Sequence, residues 1–222
     1  MAPLNQTTDE VTARLSYSGR RLQGSLAYQA SLFRNSDESL TWANPFTAGT
    51  IKTGAGLGQL ALAPDNEFHQ LQATLGYQLS AQTRASADIA IGRMTQDAAY
   101  LASALNTDLV VPGLPSLSLN GRASTLNASV RISSALTDTL RVAAALIRDE
   151  RDNKTATAAY PMVSTDLFLG LPRSNQAFSF TNDKLKLTVD YRGPLNLVYV
   201  AGADYDARER SAQEVGTTRE AT

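Results

Sequence analysis

The chain has 222 residues, with 20 basic and 21 acidic side chains, one histidine and no cysteine. Balanced charge offers no basic face for nucleic acid, and without cysteine the chain itself can hold no disulfide, thiolate metal site, iron–sulfur cluster or covalently attached c-type haem. No apolar run approaches the length of a membrane-spanning helix.

The opening MAPLNQTTDE lacks the basic and apolar regions of an export signal. The chain is therefore expected either not to be exported or to be a piece of a longer precursor, and the pattern that follows favours the second. Residues 1–10 are polar and read as a loop. Alternation of apolar and polar residues, the period of a strand with two unlike faces, then begins with Val11, Ala13, Leu15 and Tyr17 against Thr12, Arg14, Ser16 and Ser18. Ser18-Gly19-Arg20 is a tight turn. The second strand sets Leu22, Leu26, Tyr28 and Leu32 against Gln23, Ser25, Gln29 and Ser31, and a long polar connection runs from Arg34 to Glu67.

The third and fourth strands form the clearest pair. Leu71, Ala73, Leu75 and Tyr77 alternate with Gln70, Gln72, Thr74 and Gln78; beyond a break at Ser80 to Thr83, Ala85, Ala87, Ile89 and Ile91 alternate with Arg84, Ser86, Asp88 and Gly92. A second long connection, Asp97 to Asn120, contains DAAYLASAL, which is read as a short helix. Leu126, Ala128, Val130 and Ile132 mark strand five; Leu140, Val142, Ala144 and Leu146 mark strand six, whose other face is blurred by Ala143, Ala145 and Ile147. Glu150 to Phe180 is a third long loop carrying Pro161 and Pro172. Leu185, Leu187, Val189 and Tyr191 oppose Lys184, Lys186, Thr188 and Asp190 in strand seven, and strand eight carries Leu195, Leu197, Tyr199, Ala201, Ala203 and Tyr205 after the turn Arg192-Gly193-Pro194. The tail from Arg208 is polar and without period.

The chain thus reads as one unit, 1–222, of four hairpins (about 11–33, 68–96, 123–149 and 184–207) joined by long loops (34–67, 97–120 and 150–180). Short turns at one end and long loops at the other are the asymmetry of an outer-membrane barrel, whose short turns are periplasmic. The expected fold is all-β: an antiparallel up-and-down transmembrane β-barrel segment of about eight strands.

Alternation alone does not say which face lies outside, because a lipocalin-like barrel turns its apolar face inward. Two features favour lipid. Tyr17, Tyr77 and Tyr191 hold the last apolar-face position before three of the short turns, where an aromatic girdle belongs. At the other end the apolar parity runs into Arg34, His69, Arg93 and Arg148, cations suited to lipopolysaccharide phosphates at an outer rim. The opposite face, expected to line the lumen, carries Arg14, Gln23, Gln29, Gln70, Gln72, Gln78, Arg84, Asp88, Asn127, Arg131, Arg141, Lys184, Lys186 and Asp190.

Three stretches carry a family resemblance. They are Ser39-Leu40-Thr41-Trp42-Ala43-Asn44-Pro45-Phe46, Leu60-Ala61-Leu62-Ala63-Pro64-Asp65-Asn66-Glu67-Phe68-His69-Gln70, and Gly92-Arg93-Met94-Thr95-Gln96-Asp97-Ala98-Ala99-Tyr100-Leu101. Together they resemble the decahaem-associated outer-membrane proteins of the MtrB/PioB type. The specific motifs cover the first half of the chain and the hairpin rhythm covers all of it. The resemblance implies a large barrel of well over twenty strands that sheathes a multihaem c-type cytochrome, so that electrons cross the outer membrane along the partner's haems. It implies no cofactor on this chain, the haem being carried by that cytochrome, and leaves room for an extracellular cytochrome at the loops. Eight strands are about a third of such a barrel, as expected of a piece with two unpaired edges.

Rival chemistry has weaker footing. His69 could be a haem ligand or a base for an outer-membrane hydrolase, but a single rim histidine is in most proteins structural or solvated. Asp149, Glu150 and Asp152 could form a cation site or a catalytic carboxylate pair; interleaved with Arg148, Arg151 and Lys154 they read as a solvated strand end. Gly54, Gly56 and Gly58 lack the strand-into-helix context of a nucleotide loop. Trp42 could touch an outside partner or pin its own loop. No catalytic or metal site is assigned. The alternatives kept open are a solute-conducting porin, an outer-membrane hydrolase and a soluble β-sandwich or ligand-binding barrel.

Overall fold

A computed structural model describes residues 5–43, 56–164, 168–211 and 219–222. Eight long antiparallel strands make up the main sheet: β1 (Gln6–Ser18), β2 (Leu22–Asn35), β5 (Asn66–Gln78), β6 (Thr83–Gln96), β7 (Gly121–Ala135), β8 (Leu140–Asn153), β11 (Phe180–Arg192) and β12 (Val198–Arg210). A short ninth strand, β13 (Arg219–Ala221), pairs with the end of β12. Every long strand lies beside its neighbour in sequence order, and the sheet is open between β1 and β13. Two small hairpins stand apart, β3 (Ser39–Ala43) with β4 (Leu57–Ala61) and β9 (Ala159–Ser164) with β10 (Phe168–Ser174).

Two of the four short turns are built alike. At each, a hydroxyl accepts backbone N–H groups that the turn leaves unpaired. Ser80 Oγ accepts from Gln82 N and Thr83 N at 3.2 and 3.1 Å. Thr137 Oγ1 accepts from Thr139 N and Leu140 N at 3.3 and 3.0 Å. The last short turn is a single 3-10 turn, Pro194–Asn196, with Leu195 at a φ of 61°. Leu195 and Leu197 therefore precede strand eight instead of belonging to it.

The register carries a geometric regularity. One cross-strand row links Ser18, Gln23, Gly76, Ser86, Arg131, Ala145 and Lys186. Ser18 is the terminal residue of its strand at the short-turn end; Gln23 is one residue in from that end, Gly76 two, Ser86 three, Arg131 four, Ala145 five and Lys186 six. From β1 to β11 the row slips by one residue per strand; on β12 it reaches Asp204, again six residues from the turn end. With about 3.3 Å per residue and about 4.8 Å between strands, that slip inclines the strands by about 35°. Transmembrane barrels tilt their strands by about this amount.

The sheet has almost no core. Among the described residues only Ala30, Ala90 and Ala123 are buried apolar side chains, and no large side chain is fully buried. Large apolar residues stand out from one face instead: Leu15 is 73 % exposed, Leu71 and Leu75 are each 50 %, and Ile89 is 42 %. A soluble sandwich or lipocalin-like barrel would pack this face against another layer. Nothing in the described residues covers it. Lipid is the solvent that such a face requires.

Four further readings of the sequence need correction. Residues 6–10 belong to β1, because Thr8 and Glu10 extend the alternation and pair with β2. The stretch DAAYLASAL is irregular, apart from a bridge between Ala99 and Ser118. So short a segment has little helical stability of its own, and Tyr100 N is drawn to Leu117 O at 3.0 Å. The long loops 34–67 and 150–180 each contain a hairpin. Pro161 and Pro172 argue against strands there, yet a two-stranded ribbon has only edges, where proline is tolerated, and the register shifts between Gly170 and Arg173 around Pro172. The polar tail also returns to the sheet as β13.

Candidate functional surfaces

The register assembles two unlike faces. On one, Leu26, Ala73, Ile89 and Ala128 fall opposite one another, as do Leu22, Tyr77, Ala85 and Ile132. On the other lie all the residues expected to line a lumen: Arg14 on β1, Gln23 and Gln29 on β2, Gln70, Gln72 and Gln78 on β5, Arg84 and Asp88 on β6. Asn127 and Arg131 on β7, Arg141 on β8, and Lys184, Lys186 and Asp190 on β11 complete the set. Gln29 and Gln70 are direct cross-strand partners.

This polar face is stitched by side-chain hydrogen bonds at modest spacing. Ser25 and Thr74 hydroxyls meet at 2.9 Å, Ser129 donates to Asp88 at 3.2 Å, and Arg84 donates to the Gln23 amide oxygen at 3.3 Å. Lys184 pairs with Asp206 at 2.6 Å. Sequence reading missed the contribution of β12, where Asp204, Asp206, Arg208 and Arg210 share this face. Carrying the parity of Tyr199, Ala201 and Ala203 onward would have placed them.

Tyr17, Tyr77 and Tyr191 sit at the short-turn end of the apolar face, each exposed. The structure adds Tyr199, which stacks on Tyr191 with ring centroids 6.2 Å apart and planes 26° from parallel. From Tyr77 to His69 the apolar band covers eight residue steps of β5, about 22 Å at the observed tilt, close to the ~25 Å apolar band of outer-membrane barrels.

At the far end of that band, three of the four rim cations fall together. Arg34 Nη2 donates to Glu67 at 2.6 Å, His69 Nε2 lies 3.7 Å from the same carboxylate, and Arg34 also faces Asp65 at 3.8 Å. Tyr28 hydroxyl lies 2.8 Å from His69 Nδ1. Arg93 is the cross-strand partner of His69, and no carboxylate among the described residues lies within ion-pairing range of it. Arg148 is separate, paired with Glu150 at 2.8 Å and Asp183 at 3.3 Å. All these groups are solvent-accessible, so each pair adds little stability. His69 is thus held by a tyrosine and a glutamate.

The remaining constellations resolve simply. Glu150 and Asp152 lie on the apolar-face parity and Asp149 on the polar one; Asp152 pairs with Lys154 at 3.2 Å. Among the described residues no group of three or more histidines and carboxylates could hold a metal. Gly54 and the Asn44-Pro45-Phe46 part of the tryptophan motif lie outside the described residues. Gly58 has a plain packing role: the Trp42 indole lies over it where a Cβ would stand. Trp42 and Leu57 then join Leu101–Leu105 and Val163 around an open cleft among the long connections. Nearby, Tyr100 and Tyr160 share a hydroxyl hydrogen bond of 2.9 Å in an edge-on pair. Burial, and then this bond, push the Tyr100 pKa up to about 12.

An apolar band facing out, a polar face opposite, tyrosines by the short turns and strands tilted near 35° define an outer-membrane β-barrel protein. The whole chain, residues 1–222, matches the family described as "Putative outer membrane beta-barrel porin, MtrB/PioB", and it belongs to that family. It is also 27 % identical over 222 residues to outer membrane protein MtrB of Shewanella baltica (strain OS185), an alignment covering 99 % of this chain and 30 % of that protein. The chain thus spans about a third of the length of its curated relative. Family membership makes it a non-enzymatic porin-type barrel of the outer membrane. With no cysteine, it has no C-x-x-C-H haem-attachment motif of its own.

Proposed function

We propose that this chain is a wall segment of an outer-membrane barrel that encloses a multihaem c-type cytochrome and holds it in place for electron transfer across the membrane. Family membership supports the reading, and one structural quantity carries it, the density of strands. Eight spanning strands in a chain matching 30 % of the relative scale to about 27 strands for a barrel of the full length. At about 4.8 Å spacing and 35° tilt, such a barrel is about 50 Å across, wide enough for a folded protein. An unfilled lumen of that width would leave the membrane open to solutes.

In this reading the short turns face the periplasm, and Tyr17, Tyr77 and Tyr191 form the aromatic girdle there. The polar set from Arg14 to Asp190 meets the enclosed partner. The apolar band meets lipid, and Arg93, with His69 and with Arg34 and Arg148 in their ion pairs, borders the lipopolysaccharide. The cleft beside Trp42 lies among the extracellular loops, within reach of an outside cytochrome.

Hydrogen-bonded amides and hydroxyls would equally line water, which favours a solute-conducting porin as the second reading. Purification of the full-length protein from detergent-solubilised membranes separates the two. A stoichiometric haem protein that survives salt washing is the expected result. A haem-free barrel that conducts ions in planar bilayers would refute the sheath and leave the porin.

A further inference from the structure

The formal charge of the chain is nearly zero, but the charge is unevenly placed. Take the row Ser18–Gln23–Gly76–Ser86–Arg131–Ala145–Lys186–Asp204 and everything on its short-turn side, residues 18–23, 76–86, 131–145 and 186–204. These segments contain seven of the 20 basic residues and only three of the 21 acidic ones, Asp138, Asp190 and Asp204. The rest of the chain has 13 basic and 18 acidic residues.

Five of those cations, Arg84, Arg131, Arg141, Lys186 and Arg192, lie on the polar face, and Arg84, Arg131 and Lys186 fall together. These three frame a groove of about 330 Å³ floored by small side chains, among them Ser86, Ser133 and Ala143. Arg84 reaches only the Gln23 amide oxygen. Among the described residues no carboxylate comes within ion-pairing distance of any of the three, although Asp204 is the cross-strand partner of Lys186 and Asp88 lies two residues beyond Ser86. On the same face Lys184 does find a partner in Asp206, while Arg14, Arg141, Arg192 and Arg208, like these three, have no ion pair among the described residues.

We infer that this oblique cationic strip is a docking surface for a carboxylate-bearing patch on the haem protein enclosed by the barrel. The inference rests on the sheath reading. Three observations select the occupant. Parity turns the three cations away from lipid, so membrane phosphates are not their partners. Serine and alanine on the floor let a protein surface approach the wall closely, and long flexible cations beside such a floor can fold onto carboxylates as water leaves. A wall about 25 Å from the barrel axis meets a body that fills the lumen, whereas free anions in a lumen that wide pass largely screened from it.

The test uses the full-length barrel isolated with its haem protein from native membranes. The variants are Arg84→Gln/Arg131→Gln/Lys186→Gln, a charge-keeping Arg84→Lys/Arg131→Lys/Lys186→Arg, and Arg122→Gln, which removes a cation from the other face. Heat-modifiable gel mobility reports barrel assembly for each. Haem absorbance per barrel is then followed through increasing sodium chloride. The expected result is that the neutralised triple variant retains haem protein about tenfold less well at physiological ionic strength, while the other two match wild type. Equal retention by the neutralised variant at every salt concentration would overturn the inference and leave the sheath intact. Absence of haem protein from wild type would defeat the sheath reading itself. Should that haem-free barrel lose anion selectivity in planar bilayers on neutralisation, the strip serves small free anions and the docking surface is refuted.

Discussion

Replacing Ile89 by arginine tests the assignment of faces. Ile89 lies midway along the apolar run of β6, four residues from Ala85 at the turn end and four from Arg93 at the rim, and is 42 % exposed with Ala73 and Ala128 as cross-strand partners. If this face contacts lipid, the guanidinium sits near the bilayer midplane, where arginine on a barrel exterior costs about 2–4 kcal/mol. That corresponds to a shift of roughly 30- to 1000-fold in the folding equilibrium. If the face contacted water, exchanging a half-exposed isoleucine for arginine would move stability by no more than about 0.5 kcal/mol. Gln72→Arg, on the polar face of the neighbouring strand, is the matched control and is expected to be near neutral. Urea-dependent refolding of the full barrel into lipid vesicles, read by heat-modifiable gel mobility, gives both midpoints. Equal midpoints would refute the argument, and a loss confined to Gln72→Arg would reverse the faces.

Other outcomes follow from local geometry. Tyr100 is held protonated by burial and by Tyr160, with its pKa raised from 10.0 to about 12. Its contribution to loop stability is thus present below pH 10 and is lost as pH rises through about 12; Tyr160→Phe should bring one late-ionising tyrosine down in an ultraviolet titration. Gly58→Val should displace the Trp42 indole, and because the chain has a single tryptophan its emission maximum should shift without loss of the barrel. At the rim, Arg93→Gln should weaken lipopolysaccharide binding in a vesicle assay more than Arg34→Gln does, since Arg34 is already neutralised by Glu67; the reverse order would rule out a role for the unpaired cation.

The long strands were legible because each carries one apolar and one polar face, a period that a strand of 13 to 15 residues repeats many times. Tyr17, Tyr77 and Tyr191 were placed by the same parity. The small hairpins were hidden because five to seven residues give the period little room and Pro161 and Pro172 contradict it. The stretch 97–105 has helix-favouring alanines and leucines, yet the contacts that hold it come from Leu117 and Tyr160, distant in sequence. Tyr199, read on the apolar set of strand eight, was left out of the girdle because its stack depends on the register with Tyr191. The pairing of Arg34 and Arg148 with carboxylates is likewise invisible until strands are placed side by side.

The slip of one residue per strand also bears on how such a wall can be enlarged. Each of the inner hairpins, β5–β6 and β7–β8, contributes two strands and two residues of slip, and it returns the chain to the same side of the sheet with the same parity. Adding or removing a whole hairpin therefore leaves the tilt, the height of the apolar band and the order of the faces unchanged, and alters only the girth. The wall behaves as a set of interchangeable staves, so that its circumference can be changed by gain or loss of hairpins alone.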